Sequence, residues 1–192
     1  GVYTTETVDA VRRYQEAAGL FMDGIAGSHT QHTMYGTVPP GTYTPPADGS
    51  ITLNPVEISD WNTGDIQKVW PNGTVATLTD VQTGLTYRAK RWAGLYHADV
   101  EPLTAADTAI FVKMYGVTSA QQIAEKNLWQ RRATWVTVGG RTFAASVYGV
   151  PHNYPQGDTI KDNDFNGQFC VHFLNSKTHA TQQVDDNHRL AI

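Results

Sequence analysis

A proline-rich segment divides this chain into two parts with different patterning. Residues 37–50 contain four of the nine prolines and two glycines, with scarcely any apolar side chain. This composition favours an extended, semi-rigid linker over either helix or sheet. The sequence therefore predicts a small module over residues 1–36, a linker over 37–50 and a second domain over 51–192.

The first part carries a helical pattern. Val8, Val11 and Ala18 recur at helical spacing over residues 7–18, which predicts an amphipathic helix. The turn signal Asp23-Gly24 precedes a second short helical stretch. Two such helices are too small to bury a core by themselves.

A longer motif runs through the same residues. It consists of Tyr3, Thr7, Ala10-Val11, Tyr14-Gln15, Gly19-Leu20, Asp23-Gly24-Ile25-Ala26-Gly27 and Thr30. This string resembles the second half of the three-helix peptidoglycan-binding repeat that is appended to many bacterial cell-wall hydrolases. The resemblance implies an extracellular or cell-wall-associated bacterial protein whose partner is peptidoglycan, and the family's first helix would precede Gly1. His29 and His32 are expected at the surface of this module.

Beyond residue 50 the pattern changes to short β-like runs. They cover residues 51–53, 65–69, 74–79, 85–92, 134–138, 142–147 and 168–173, and turn signals separate them. Hairpin turns are predicted at Asn72-Gly73, Thr83-Gly84 and Gly139-Gly140. A capping box at Thr104–Asp107 begins one helix, and a shorter helix is predicted from Ser119 to Lys126. The fold class is therefore α+β, with a mainly antiparallel sheet that is able to close into a barrel.

Composition excludes several classes of function. The formal charge is −4, with no basic patch of the kind that nucleic acid demands. No apolar run approaches the ~18 residues of a membrane span, and no signal peptide is recognisable. The single cysteine, Cys170, excludes an internal disulfide, so packing or a metal must stabilise the domain. A monomer is expected.

Two histidine-bearing stretches indicate a metal site. If the strand that begins near residue 85 continues past Gly94, then His97, Asp99 and Glu101 project from one face. In the run 168–173, Cys170 and His172 share a face. Catalytic zinc takes three protein ligands and leaves a position for water. We therefore predict that His97, Asp99 and His172 hold zinc.

Other polar residues are candidates for proton transfer and substrate binding. His179 and His188 follow the last predicted strand in a polar segment. His179 or His188 could be a further metal ligand, or could act as general base or oxyanion stabiliser beside a metal-activated water. Glu101 is a further candidate for the general base. Arg91 is a candidate to bind a substrate carboxylate, and His152 to line the cleft.

The order of His97, Asp99 and His172 resembles that of the zinc-dependent amidases and peptidases of the bacterial wall. In that family a His and an Asp from one segment join a His from a later strand. The chain departs from the family pattern, because its His-to-Asp spacing is shorter and no Glu-x-x-His pair includes His172. The resemblance implies a zinc-dependent hydrolase that cleaves an amide bond of peptidoglycan.

Three other interpretations stay open. Cys170 is most simply a small buried hydrophobe, and a His-x-Asp pair is often an ordinary hydrogen-bonded pair. A cysteine peptidase or transpeptidase could use Cys170, although this residue lies mid-strand and the Ser-His-Gly-Cys loop of the L,D-transpeptidases is absent. A non-catalytic wall-binding or spore-coat protein with a structural histidine cluster is the third.

Overall fold

The computed structural model describes residues 4–20, 22, 24–26, 30, 33–34 and 56–192. The chain divides into two compact units, Gly1–Leu53 and Asn54–Ile192. The predicted linker, the predicted run at 51–53, and His29 and His32 lie outside the described residues.

The N-terminal unit contains helix α1 (Thr5–Ala17). Thr4 and Thr7 form a reciprocal capping box, in which each side-chain oxygen accepts the backbone N–H of the other residue. The amphipathic helix predicted over residues 7–18 is confirmed, and it begins two residues earlier, directly after its cap Thr4.

Gln15 joins α1 to the segment that follows the turn. Its side chain is almost fully buried. The amide nitrogen lies 3.0 Å from both Ile25 O and Thr30 Oγ1, and the amide oxygen accepts the Gly24 N–H at 2.9 Å. One buried side chain therefore bonds to three polar groups of that segment, as buried amides in proteins generally do.

Seven strands make up the sheet of the C-terminal unit. They are β1 (Val56–Glu57), β2 (Val75–Asp80), β3 (Thr86–Ala93), β4 (Ala98–Pro102), β5 (Arg132–Val138), β6 (Arg141–His152) and β7 (Gln168–His172). Their order is β1-β6-β5-β2-β3-β4-β7, and β6 pairs with β7 as well. This second pairing closes β2 to β7 into an antiparallel barrel, while β1 adds to β6 in parallel. The predicted α+β class with a mainly antiparallel sheet is confirmed.

Four short helices accompany the barrel. They are α2 (Ile66–Val69), α3 (Ala105–Met114), α4 (Ala120–Glu125) and α5 (Asp186–Ala191). The Thr104 hydroxyl accepts the Asp107 N–H at 3.2 Å at the start of α3, and Ser119 caps α4. The helix predicted from the capping box and the shorter helix predicted from Ser119 to Lys126 are therefore both confirmed.

The β-like run predicted at residues 65–69 is wrong, because α2 occupies it. Ile66 and Trp70 are four residues apart and both fully buried, which is the spacing of one helical face. Periodicity alone cannot assign an apolar run this short. The predicted turn at 72–73 consequently leads from α2 into β2, whereas those at 83–84 and 139–140 do join antiparallel neighbours.

Alternation gives each barrel strand an inner and an outer face. The inner faces form the apolar core: Leu78, Ala89, Val100, Val136, Phe143, Val147, Phe169 and Val171. The outer faces of β4, β6 and β7 carry polar residues that are nevertheless buried: Asp99, Glu101, Ser146, Gln168, Cys170 and His172. The loop after β6 and the segment after β7 cover them, since both hydrogen-bond to this face. The polar cluster thus lies between the barrel wall and its cover.

Candidate metal centre

Strand register brings the cluster together. Asp99 of β4 pairs directly with Cys170 of β7, and Cys170 pairs with Tyr148 of β6. Directly opposite residues share a face, so these three side chains lie on the outside of the barrel. His97 precedes β4 after a turn at Gly94, where φ is 129° and an added Cβ would lie 1.9 Å from His97 O. Only glycine permits this turn, which presents His97 beside Asp99.

Four ligand atoms converge at this point. One atom each from His97, Asp99, Cys170 and His179 lies within 4.8 Å of the others. Asp99 Oδ1 is 3.3 Å from His97 Nε2, 3.2 Å from His179 Nε2 and 3.7 Å from Cys170 Sγ. Zinc ligands at their usual bond lengths of about 2.0–2.3 Å are roughly 3.3–3.7 Å apart in a tetrahedron. The separations from Asp99 Oδ1 match those edges.

The His97 ring is oriented as metal-binding histidines are. Its Nδ1 lies 2.6 Å from Lys177 O, and a carbonyl only accepts, so Nδ1 carries the proton. In the neutral imidazole, Nε2 therefore presents a lone pair to the cluster. It is fully buried, it lies near Asp99 outside hydrogen-bond geometry, and it has no hydrogen-bond partner. A donor locked by a backbone carbonyl with the other nitrogen free is typical of a histidine ligand.

Asp99 is ionised in this setting. Burial acts to raise the pKa of its carboxyl, but the neighbouring imidazoles of His97 and His179 outweigh burial and lower that pKa. The Gln168 amide also donates to Asp99 Oδ1 at 2.7 Å. The cluster consequently holds a buried negative charge, which a cation would stabilise.

Cys170 faces both Asp99 and His152. Burial raises the pKa of its thiol well above the usual value, and the Asp99 carboxylate raises it further. The thiol sulfur lies 3.2 Å from His152 Nε2, and His152 Nδ1 lies 2.8 Å from Val150 O. Burial lowers the pKa of His152. The isolated protein therefore disfavours a thiolate here, whereas a bound cation would favour one.

His172 and His188 do not join the four-atom group. The His172 ring stacks on His97 at 4.3 Å between centroids and 19° between planes, and on His188 at 3.7 Å and 1°. In-plane lone pairs of parallel rings run side by side and do not converge on one ion. Burial lowers the pKa of both rings, that of His188 to about 3, so both are neutral at pH 7.

Glu101 is occupied elsewhere. The carboxylate is fully buried and accepts the backbone N–H groups of Thr159 and Ile160 at 3.0–3.1 Å, together with the Thr159 hydroxyl. It anchors the loop after β6 and is absent from the group of converging ligand atoms.

Arg91 is also occupied by the protein. Its guanidinium donates to the carbonyls of Trp70, Ala93 and Gly94 at 2.7–3.3 Å and lies over the Trp61 ring. Arg91 was predicted to bind a substrate carboxylate, but its guanidinium N–H groups donate to these backbone carbonyls. His152, by contrast, does reach the polar cluster through Cys170 and Gln168.

The sequence predicts His97, Asp99 and His172 as ligands, with His179 or His188 as a further one. In the structure, the converging atoms belong to His97, Asp99, Cys170 and His179, and His172 lies outside this group. The period-two pattern already put Cys170 and His172 on one face. Which of the two meets Asp99 depends on the β4–β7 register, and this register has no local sequence signal.

The cluster reaches solvent through His179. This side chain is 47% exposed, whereas Asp99 is 7% and His97 0% exposed. His179 belongs to the segment after β7, and its ring meets Tyr96 edge-on at 6.0 Å. His97, Asp99 and Cys170 are therefore the buried members of the group, and His179 is the member that solvent can reach.

Comparison with known proteins concerns the N-terminal unit. Residues 1–34 match the family model described as "Putative peptidoglycan binding domain". No curated protein and no solved structure matches the chain. Within the described residues, no helix has both the length and the apolar character to span a bilayer. The match supports peptidoglycan as a partner and association with the cell wall.

Proposed function

We propose that this wall-binding chain is a zinc-dependent hydrolase that cleaves an amide bond of peptidoglycan. The observation that carries the proposal is the convergence of four ligand atoms around Asp99 Oδ1, with the lone pair of His97 Nε2 already directed at them. The match of residues 1–34 to a peptidoglycan-binding family is the reason for proposing peptidoglycan as the substrate.

The set of donors favours zinc over other cations. Imidazole nitrogen, carboxylate oxygen and thiolate sulfur together suit Zn²⁺, whereas Ca²⁺ and Mg²⁺ take oxygen ligands. One thiolate and one carboxylate would also neutralise a divalent charge in this buried position. His97, Asp99 and Cys170 are the fixed ligands in this proposal, because their side chains are almost fully buried.

His179 holds the exchangeable position. A zinc site closed by four protein ligands is structural, and catalysis needs a position open to water. His179 is the exposed member of the group and follows the barrel strands, so substrate can displace it without disturbing the barrel. Zinc held by these residues would supply an activated water and polarise the amide carbonyl. The His179 imidazole, once it is no longer a ligand, would be available to carry a proton to the leaving amine.

Tethering increases the effective substrate concentration. A wall-binding segment keeps the C-terminal unit near its polymer, so weak binding at the catalytic site suffices. In the proposed hydrolysis, the role of the N-terminal segment is therefore to hold the C-terminal unit close to peptidoglycan.

The first test is zinc content, measured by elemental mass spectrometry on the full chain, together with release of new amino groups from purified peptidoglycan. We expect about one zinc per chain. Chelation and His97→Ala should both abolish zinc binding and hydrolysis. Asp162→Asn removes an exposed carboxylate and serves as control. Absence of zinc after reconstitution would refute the metal site, and bound zinc without hydrolysis would instead support a structural site in a wall-binding protein.

A second candidate is cysteine catalysis, which the 3.2 Å contact between Cys170 Sγ and His152 Nε2 favours. With Nδ1 at Val150 O, the His152 Nε2 lone pair faces the thiol as a general base would. The adjacent Asp99 opposes this mechanism, because it raises the pKa of the thiol. The two candidates respond differently: loss of activity on alkylation of Cys170, with no effect of chelators, would support cysteine catalysis and refute zinc dependence.

A further inference from the structure

Three buried imidazoles form a stack behind the proposed metal site. His172 lies between His97 and His188, and all three are at most 2% exposed. Neither ring nitrogen of His172 has a hydrogen-bond partner among the described residues. Polar contacts therefore do not fix this ring, and its neighbours hold it by its two faces.

The far end of the stack is anchored. His188 Nδ1 lies 2.8 Å from Ser146 Oγ on β6. The His188 backbone N–H bonds to Asp185, which caps α5 and also pairs with Arg131 at 2.6 Å. Restraint therefore passes from the barrel wall through His188 and His172 to His97.

The near end supports a ligand. The Lys177 carbonyl fixes the His97 ring at one atom. A single hydrogen bond still leaves the ring free to rotate about the line that joins its Nδ1 to the carbonyl oxygen. A ring stacked at 19° removes this freedom. Groups that orient a metal ligand commonly contribute a factor of ~10–100 in metal affinity.

We propose that His172 is a positioning residue, backed by His188, that fixes the imidazole plane of the zinc ligand His97. The inference rests on the proposed metal site. It assigns His172 a role distinct from ligation, because what matters is a flat ring at this position and not its nitrogen atoms.

The test compares His172→Phe, which keeps a flat ring, with His172→Ala, which removes it. Zinc affinity of the full chain is measured by competition with a chromophoric chelator, and Co²⁺ absorption reports ligand geometry. We expect His172→Phe to bind zinc within about threefold of the unmodified chain with the same Co²⁺ spectrum. His172→Ala should bind at least ~10-fold more weakly, with an altered spectrum.

Controls separate orientation from folding. Tyr87→Phe removes a buried hydroxyl that has no hydrogen-bond partner among the described residues, in the apolar core and not in the polar cluster, and should change neither readout. Thermal unfolding with chelator present shows whether each variant folds. If His172→Ala does not fold, His188→Ala, which leaves His172 in place, is expected to weaken zinc binding in the same direction.

Two results would overturn the inference. If His172→Phe loses zinc as completely as His97→Ala, the nitrogens of His172 are ligands. If both alanine variants keep full affinity and an unchanged Co²⁺ spectrum, the stack does not orient His97. Failure of the unmodified chain to bind zinc would be a different outcome, since it removes the proposed function together with this inference.

Discussion

At the scale of single residues, Asp99 organises the cluster. Four polar groups lie within 3.7 Å of its Oδ1: His97, Gln168, Cys170 and His179. No lysine or arginine of the described residues forms an ion pair with it. Burial opposes the ionised form of this carboxylate, so a cation that binds directly to it should be held strongly.

Asp99→Asn tests this charge at nearly constant shape. We expect zinc affinity to fall at least about 100-fold, equivalent to about 2.8 kcal/mol, because the amide oxygen carries no net charge. Competition with a chromophoric chelator measures the change. Gln168→Ala is the comparison, since it removes one donor to Asp99 and leaves the charge, and it should cost less. Equal affinities of Asp99→Asn and the unmodified chain would exclude Asp99 as a ligand.

The buried histidines predict a pH dependence of stability without metal. The pKa values of His172 and His188 are lower in the folded chain than the usual 6.5, and that of His188 is about 3. Between the folded and the usual pKa the unfolded state binds more protons, so stability falls as pH falls below about 6.5. The slope is up to roughly 1.4 kcal/mol per pH unit for each histidine.

Urea unfolding in chelator from pH 7.5 to 4 measures that slope. His188→Phe should reduce it, because one of the two titrating rings is gone. A slope that is the same in His188→Phe would show that His188 does not contribute.

At the scale of elements, the turn between β3 and β4 presents His97. Gly94→Ala should destabilise the fold by at least about 3 kcal/mol, because its Cβ would overlap His97 O at 1.9 Å. Gly116→Ala is the matched control. Gly116 also has positive φ, but no atom lies within 4 Å of the position that an added Cβ would take, so only about 1–2 kcal/mol of backbone strain is expected. Urea unfolding of both variants checks the difference, and equal losses would contradict it.

Glu101 anchors the loop after β6 to β4. Glu101→Gln replaces an acceptor oxygen by an NH₂ group that faces backbone N–H donors of Thr159 and Ile160. We expect a loss of about 2–3 kcal/mol in the free energy of unfolding and faster hydrogen exchange at 158–161, with zinc affinity unchanged. Glu125→Gln, at an exposed site, provides the baseline. A fall in hydrolysis with unchanged stability would instead support Glu101 as general base.

At the scale of the whole molecule, the chain consists of two compact units. The barrel of Asn54–Ile192 has its own apolar core and closes its strands upon themselves, which are the features of a unit that folds alone. The peptidoglycan match belongs to residues 1–34. Binding to the wall and binding to zinc should therefore be separable.

Deletion of residues 1–53 tests that separation. The shortened chain should keep its zinc and its cooperative unfolding, but it should no longer sediment with purified peptidoglycan. Hydrolysis of insoluble wall should fall more than hydrolysis of soluble wall fragments, because only the first depends on tethering. Undiminished sedimentation would show that the barrel itself carries the main binding surface.

Some features of this protein are determined by sequence alone, because they depend on neighbours along the chain. Threonine and serine caps begin α1, α3 and α4, and period-two alternation defines the strands. The peptidoglycan-binding motif over residues 1–34 can likewise be recognised from neighbouring residues along the chain. These signals are local, so tertiary context did not alter them. The run at 65–69 was too short to assign, β1 and α5 were not predicted, and the strand expected to continue past Gly94 ends at Ala93, with β4 beginning at Ala98.

Which side chains meet at the candidate metal site could be read only from the tertiary structure. That His97 and Asp99 lie together follows from two positions in one segment, but the choice among Cys170, His172 and His179 depends on how β7 pairs between β4 and β6. Pairing across some 70 residues sets which side chain meets Asp99 and which stacks behind His97. The folded structure also determines that Glu101 bonds to the loop after β6 and that Arg91 bonds to backbone carbonyls. Side-chain direction at a barrel wall follows register and closure, and neither is encoded in local periodicity.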